Sequence, residues 1–266
     1  SRPRVRVRVR SVSGLVAQSA PGAAAMSSFA GRELLNPANV MEASYDAGTT
    51  LQQDNGLNFL GKEVDTGTTI MAVQYDGGVI VGADSRVSTG VYISNRASDK
   101  ITAVDDRIYC CRSGSAADTQ AVSDYVRYFL DQHRMEYGQP PKVATAANLF
   151  QMLCYQNKNM LTAGIIVAGW DKEKGGQVFA LPIGGALMER EYATGGSGST
   201  YIYGFCDAFF KPGMTKQQCE DFVTKGLCHA MARDGSSGGI IRMAIIDESG
   251  VERKFIAGDK LPYGPL

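Results

Sequence analysis

Between Thr69 and Phe255 the apolar residues change period four times, and that order limits the possible folds of the chain more than any single motif does. Two alternating runs, Thr69 to Tyr75 and Val79 to Asp84, flank Asp76-Gly77-Gly78 and read as a hairpin with strong turn chemistry. Val91 to Ser94, Lys100 to Val104 and Arg107 to Arg112 continue as short strands, the last two joined at Asp105-Asp106. Ser115-Ala116-Ala117-Asp118 then opens a helix with Val122, Val126, Phe129, Leu130 and His133 on one face, stopped by Gly138 and Pro140-Pro141. A second helix is predicted over 143–159, with Ala146, Phe150, Leu153 and Cys154 at helical spacing. Strand periodicity returns at 164–170, 177–182, 186–189 and 191–194, followed by a short helix over 199–210. Thr215-Lys216-Gln217-Gln218 matches a capping box, and the helix it opens carries Cys219, Phe222, Val223, Leu227, Ala230 and Met231 inward. Ile240 to Asp247 and Val251 to Phe255 form a last hairpin. Two helix pairs set between groups of antiparallel strands predict an α+β fold, two packed sheets covered on their outer faces by helices.

The segment before Thr68 has a different character. Residues 1–25 carry five arginines, all within Arg2-Pro3-Arg4-Val5-Arg6-Val7-Arg8-Val9-Arg10, and no acid. Such Arg-rich, acid-poor stretches resemble transit peptides, but Met26-Ser27-Ser28 resembles a translation start, so 1–25 reads as a leader or upstream extension, expected to be disordered. From Met26 to Gly67 the balance reverses to six acids (Glu33, Glu42, Asp46, Asp54, Glu63, Asp65) against Arg32 and Lys62, with no sustained apolar period. The expected organisation is a prosegment over 1–67 and one domain over 68–266.

Lys+Arg and Asp+Glu are both 27, so net charge gives no reason to expect nucleic acid or a membrane surface as partner. No apolar run reaches bilayer-spanning length. The six cysteines (Cys110, Cys111, Cys154, Cys206, Cys219, Cys228) contain no Cys-x-x-Cys pair, and the histidines are His133 and His229. Cys228-His229 could supply two ligands, but adjacent helical positions point about 100° apart, so neither metal nor cofactor is expected. A reduced, intracellular compartment fits this cysteine usage.

The boundary itself carries chemistry. In Asp65-Thr66-Gly67-Thr68-Thr69, cutting Gly67-Thr68 would give Thr68 a free α-amine beside its own hydroxyl, placing nucleophile and general base on one residue. On these residues alone, a Thr-rich entry to an ordinary strand is the competing explanation. The rest of the chain decides the matter. Thr68-Thr69-Ile70, Gly82-Ala83-Asp84-Ser85-Arg86, Asp99-Lys100, Cys111-Arg112-Ser113-Gly114-Ser115-Ala116-Ala117-Asp118, Gly195-Gly196-Ser197-Gly198-Ser199 and Arg233-Asp234-Gly235-Ser236-Ser237-Gly238-Gly239 closely resemble the catalytic β subunits of the eukaryotic proteasome core, in one order and spacing across 68–266. Residues 1–25 have no counterpart in that pattern.

The resemblance implies a four-layer αββα N-terminal-nucleophile sandwich assembled with other α and β subunits in stacked seven-membered rings. It also implies self-processing, a threonine endopeptidase acting on unfolded polypeptides in ATP- and ubiquitin-dependent degradation, and residence in cytoplasm and nucleus. Its active-site set corresponds to Thr68, Asp84, Lys100, Ser197, Asp234 and Ser237. Arg112 and its flanks resemble the subunit type that cuts after acidic residues, with Val87, Ser88, Gly90, Ser98, Thr102, Ala116 and Gln120 as the implied substrate-binding positions.

Physical reasoning assigns roles beside these correspondences. An α-amine titrates near about 7.7–8.0, so much of it can act as a base near neutrality, and a nearby lysine would lower that value further. Lys100 is the candidate, with Asp84 holding it charged; the plain alternatives are a solvated lysine at a strand start and a turn acid at a strand end. Gly114 could offer its amide to an oxyanion, or be only a strand-to-helix turn. Gly195 to Ser199 lacks the lysine of a phosphate-binding loop, so Ser197 reads as a hydroxyl aimed at the Thr68 amine, or as a flexible loop residue. Asp234 and Ser237 either buttress that amine or cap a helix. Arg112 either receives an acidic substrate side chain or pairs with Asp118. The competing functions are an unprocessed structural ring subunit of the same fold and a different amidohydrolase of the same nucleophile class.

Overall fold

The computed structural model describes residues 67–262; residues 1–66 of the expected prosegment and the last four residues lie outside that range. Two five-stranded antiparallel sheets form the centre. The first has the order β10-β1-β2-β11-β12, built from β1 (Ile70–Tyr75), β2 (Gly78–Ala83), β10 (Tyr192–Gly195), β11 (Ile241–Asp247) and β12 (Gly250–Ile256). The second runs β5-β6-β7-β8-β9, from β5 (Ile101–Asp105), β6 (Ile108–Gly114), β7 (Ala163–Asp171), β8 (Gly175–Leu181) and β9 (Met188–Arg190). Helices α1 (Ala116–Tyr137) and α2 (Val143–Gln156) pack against the second sheet, and α4 (Lys216–Arg233) packs against β1 and β2 of the first, with α3 (Tyr203–Phe209) beside it. These are the two packed sheets covered by helices that the order of periods predicts, in the four-layer αββα arrangement that the resemblance implies.

Strand alternation sorts the core into layers. Ile70 and Ala72 of β1, Val79, Val81 and Ala83 of β2, and Ala244 and Ile246 of β11 face the second sheet, meeting Ile101, Cys111, Ile166, Ala168 and Val178. The intervening residues Met71, Val73, Ile80, Met243 and Ile245 face α4, meeting Phe222, Val223 and Leu227. A one-residue slip in any of these strands would exchange the two sets, so burial on both faces fixes the register. Cys110, Cys111, Cys154, Cys206 and Cys219 are buried thiols without disulfides. Burial raises the Cys110 and Cys154 thiols to about 11, which leaves them chemically inert at neutral pH.

The helix boundaries follow local chemistry. Ser115 caps α1 by accepting from the Asp118 amide, and Gly138 ends it in the left-handed region at φ 64°. Thr215 and Gln218 form the full capping box of α4. Three expectations need correction. The second helix stops at Gln156 rather than 159, because Asn157 leaves the helical conformation at φ −108° and ψ 22° and its side-chain amide donates to the Leu153 carbonyl at 2.9 Å. The single helix over 199–210 is two pieces, a 3-10 turn Ser197–Tyr201 and then α3. An unpredicted strand β3 (Val87–Thr89) pairs with β4 (Tyr92–Asn95) as a separate two-stranded sheet with an irregular register at Val87/Ser88.

Candidate active site

Strand register delivers the functional residues to one end of the sandwich. Ile70 pairs with Gly195 and with Ala83, and Ala83 pairs with Arg242, so the start of β1, the ends of β2 and β10 and the loop before β11 converge. In the second sheet the start of β5, the end of β6 and the start of β7 lie together, since Ile101 pairs with Cys111 and Gly114 with Ala163. Thr68 therefore enters the first sheet where Asp84 leaves it, and Lys100 enters the second where Arg112 and Gly114 leave it.

The centre is the peptide carbonyl of Gly67. The Thr68 hydroxyl Oγ1 donates to this oxygen at 2.5 Å and the Lys100 ammonium Nζ donates to it at 3.0 Å. Lys100 also donates to Asp84 Oδ1 at 2.8 Å; the lysine is 6% exposed and the aspartate 0%. Asp84 is satisfied beyond that pair, because its two oxygens accept from the Thr69, Arg86 and Gly238 amides at 2.9, 3.2 and 3.0 Å. Burial pulls the Lys100 ammonium below the usual lysine value, and the Asp84 carboxylate opposes that pull. A cation held between a carboxylate and a carbonyl oxygen polarises the carbonyl it touches.

A second network lies on the other side of Thr68. The Thr68 amide donates to Ser197 Oγ at 3.1 Å, and Ser197 Oγ donates to Asp234 Oδ2 at 2.8 Å. Ser237 Oγ donates to the same carboxylate oxygen at 2.6 Å, while Asp234 Oδ1 accepts from the Ser236 amide at 3.0 Å. The structure thus brings Thr68, Asp84, Lys100, Ser197, Asp234 and Ser237 into one connected cluster. Gly114, at φ 99°, lines a cleft of about 740 Å³ together with Ser197, Gly195 and Gly196.

Two residues without an assigned role belong to the cluster. Thr69 places its hydroxyl 2.7 Å from Ser237 Oγ, and Gly198 is packed so tightly that a Cβ there would lie 1.9 Å from Thr69 Oγ1. The signal for Thr69 was its parity: it continues the Met71, Val73 face of β1, which meets α4, so a hydroxyl there must meet polar groups at the end of that helix. Gly67 has φ 64°, and a Cβ on it would come within 2.3 Å of Ser236 Cβ, so both conformation and space require glycine before Thr68.

The residues named for substrate binding are distributed around this centre. Arg112 is half-buried: its amide donates to the Lys100 carbonyl at 3.0 Å, one terminal nitrogen reaches the Asp99 carbonyl at 3.5 Å, and Nε is buried with no hydrogen-bond partner among the described residues. It makes no ion pair with Asp118 among the described residues; Asp118 instead accepts from the Thr162 amide at 3.2 Å. Thr102 pairs with Cys110 and shares the face of β5 and β6 that carries Arg112. Ala116 and Gln120 are exposed on the first turns of α1; Val87, Ser88 and Gly90 sit on the β3–β4 hairpin, and Ser98 lies just before Asp99. No hydrogen bond links those seven residues to Arg112 among the described residues. Nor do the described residues contain a group of three or more His, Cys, Asp or Glu placed to hold a metal ion, or a helix long and apolar enough to cross a membrane.

Comparison with known proteins agrees with this geometry. Residues 64–246 match the family model described as "Proteasome subunit". The chain is 63% identical over 204 residues to a Dictyostelium discoideum protein named proteasome subunit beta type-6, covering 77% of this chain and 95% of that one. It is 52% identical over 198 residues to Saccharomyces cerevisiae proteasome subunit beta type-1, covering 74% and 92%. It is 51% identical over 205 residues to Rattus norvegicus proteasome subunit beta type-9, covering 77% and 93%. With the family match spanning more than half of its length and these relatives nearly covered, the chain is a member of the proteasome β-subunit family.

Proposed function

We propose that this chain is the precursor of a threonine endopeptidase of the proteasome core, processed by its own Thr68 at the Gly67-Thr68 bond. The observation that carries the reading is the convergence of Thr68 Oγ1 and Lys100 Nζ on the Gly67 carbonyl oxygen. For processing, Thr68 Oγ adds to the Gly67 carbonyl carbon while Lys100 stabilises the charge developing on the oxygen, and the hydroxyl proton passes to the Thr68 nitrogen. Collapse breaks the C–N bond, leaving the Gly67 acyl group as an ester on Oγ and a freed Thr68 amine. Water then hydrolyses the ester and releases a prosegment ending in a carboxylate.

The product holds its own base. The freed amine would lie where the amide now donates to Ser197, and Lys100 with its positive charge favours the neutral form of that amine. It takes the hydroxyl proton as Thr68 Oγ attacks a substrate carbonyl, with Lys100 and the Gly114 amide serving the oxyanion. The acyl ester formed on Oγ is hydrolysed by water. Arg112 supplies the preference for acidic side chains before the scissile bond, since its guanidinium can hold a carboxylate through two parallel hydrogen bonds. Subunit partners in stacked seven-membered rings, unfolded polypeptides as substrates, and cytoplasm and nucleus as compartments complete the reading.

The test is hydrolysis, by assembled particles carrying this subunit, of matched peptides that differ only in the residue before the scissile bond. Faster cleavage after Glu than after Leu is expected, with the excess lost in Arg112→Met. Equal rates would remove the pocket assignment; no cleavage of either peptide attributable to this subunit would remove the peptidase.

A further inference from the structure

Behind the active-site loop lies a cleft of about 470 Å³ that the mechanism does not use. Its walls include three guanidinium-bearing residues from separate parts of the chain, Arg86 after β2, Arg96 after β4 and Arg233 at the end of α4, together with Ile93, Met231 and Gly235. Among the described residues none of the three arginines forms an ion pair. The one carboxylate lining the cleft, Asp234, is buried and turned to Ser197, Ser237 and the Ser236 amide. Arg86 is fixed in place: Nη1 donates to the Gly235 carbonyl at 3.0 Å, and its guanidinium lies where a Cβ on Gly238 would be, at 2.4 Å. The cleft therefore presents three cationic side chains, Arg86 held in place and Arg96 and Arg233 exposed, to an anionic partner.

Chain geometry indicates which one. Gly67 packs directly on Ser236, the neighbour of Gly235, which lines this cleft. Glu63 and Asp65 lie four and two residues upstream of Gly67. At roughly 3.3–3.6 Å per residue, the chain lets Asp65 lie at most about 7 Å and Glu63 at most about 14 Å from Gly67. We infer that the Arg86, Arg96 and Arg233 cleft is the docking surface for the acidic end of the prosegment, with Glu63 and Asp65 as its anchors. This contact holds the Gly67 carbonyl in register with Thr68 and Lys100 until the bond is cut, and it is lost on cleavage because the released segment is then held only by exposed ion pairs that salt screens.

One measurement of this contact does not depend on the peptidase reading. In the uncleavable Thr68→Ala precursor, Arg96→Lys or Arg233→Lys keeps the charge and offers an amine to a zero-length carbodiimide, which joins carboxylate to amine with loss of water. Mass spectrometry should then find Glu63 or Asp65 coupled to position 96 or 233. Coupling of these lysines only to other carboxylates, or to none, overturns the inference. The second measurement does rest on self-processing: assembled particles with Arg96→Glu or Arg233→Glu should process about two- to five-fold more slowly, the loss expected for an exposed ion pair, while the mature enzyme cleaves peptides at the unmutated rate. Adding Glu63→Lys and Asp65→Lys to the reversed arginines should restore processing. Unmutated processing in both arginine variants overturns the docking surface, whereas absence of processing in the unmutated chain would count against Thr68 as the nucleophile and leave the coupling result to decide the cleft.

Discussion

Replacing Lys100 with methionine separates the electrostatic work of the site from its packing. Methionine retains an unbranched chain of similar length but no ammonium, so the two donated bonds, to Gly67 O and to Asp84 Oδ1, are lost together. Removing one partner of a buried ion pair typically costs about 3–5 kcal/mol, because a bare charge is left behind. Asp84 is not left bare: three backbone amides still donate to it. The expected loss is therefore nearer the value of one charge-assisted bond, about 2 kcal/mol. For a domain of this size that lowers the melting temperature by roughly 4–8 °C, and the chain remains folded at 25 °C. The kinetic effect should be larger in proportion, since losing a donor aimed at a developing oxyanion costs about 100- to 1,000-fold in rate. Thermal melting of the purified precursor and the rate of release at Gly67 in assembled particles give the two numbers. Processing of Lys100→Met within ten-fold of the unmutated rate would refute the assignment, and an unfolded variant would show that Asp84 depends on Lys100 more than its amide partners indicate.

Further predictions follow from individual contacts. Gly67→Ala must adopt φ 64° with its Cβ against Ser236, so the precursor should persist on gels in which the unmutated chain is cut. Gly198→Ala drives a methyl into Thr69 Oγ1, with Asp234 Oδ2 and Ser237 Oγ each 3.1 Å away; hydrolysis should fall more than ten-fold with the melting temperature lowered by only a few degrees. Because burial lowers the Lys100 pKa in the folded state, the unfolded chain binds more protons between that depressed value and about 10.4. Stability should thus rise with pH across that window relative to Lys100→Met, and parallel stability curves for the two proteins would contradict the shift.

The layered fold was legible because hydrophobic period is a local property: Met71 and Ile70 alternate in the chain just as they alternate between α4 and the second sheet. Local chemistry also marked the caps at Ser115, Gly138 and Thr215. What periodicity missed was short or irregular. Strand β3 has three residues, too few for an alternation to register, and the split at Ile202 depends on a 3-10 turn that continues smoothly into α3. At the site, residue types and spacing marked Thr68, Asp84 and Lys100, whose contacts span 16 and 33 residues of sequence. The amides that hold Asp84, from Thr69, Arg86 and Gly238, carry no sequence signal, because every residue but proline has one. Arg112 could be named from its type, but its unpartnered Nε and the absence of a pair with Asp118 among the described residues emerge only from the packing of β6 on α1.

The central claim is that Thr68 cuts the bond before itself and then works with its own amine. Intact mass of this subunit, taken from assembled particles of the unmutated protein and of Thr68→Ala, tests it most directly. The account predicts a chain beginning at Thr68 in the first and a precursor uncut at Gly67 in the second, with the fold preserved because a strand-edge Thr→Ala change costs little. A Thr68→Ala chain that still begins at residue 68 in isolated particles, or an unmutated chain that retains Gly67 while the particles cleave peptides through this subunit, would contradict it.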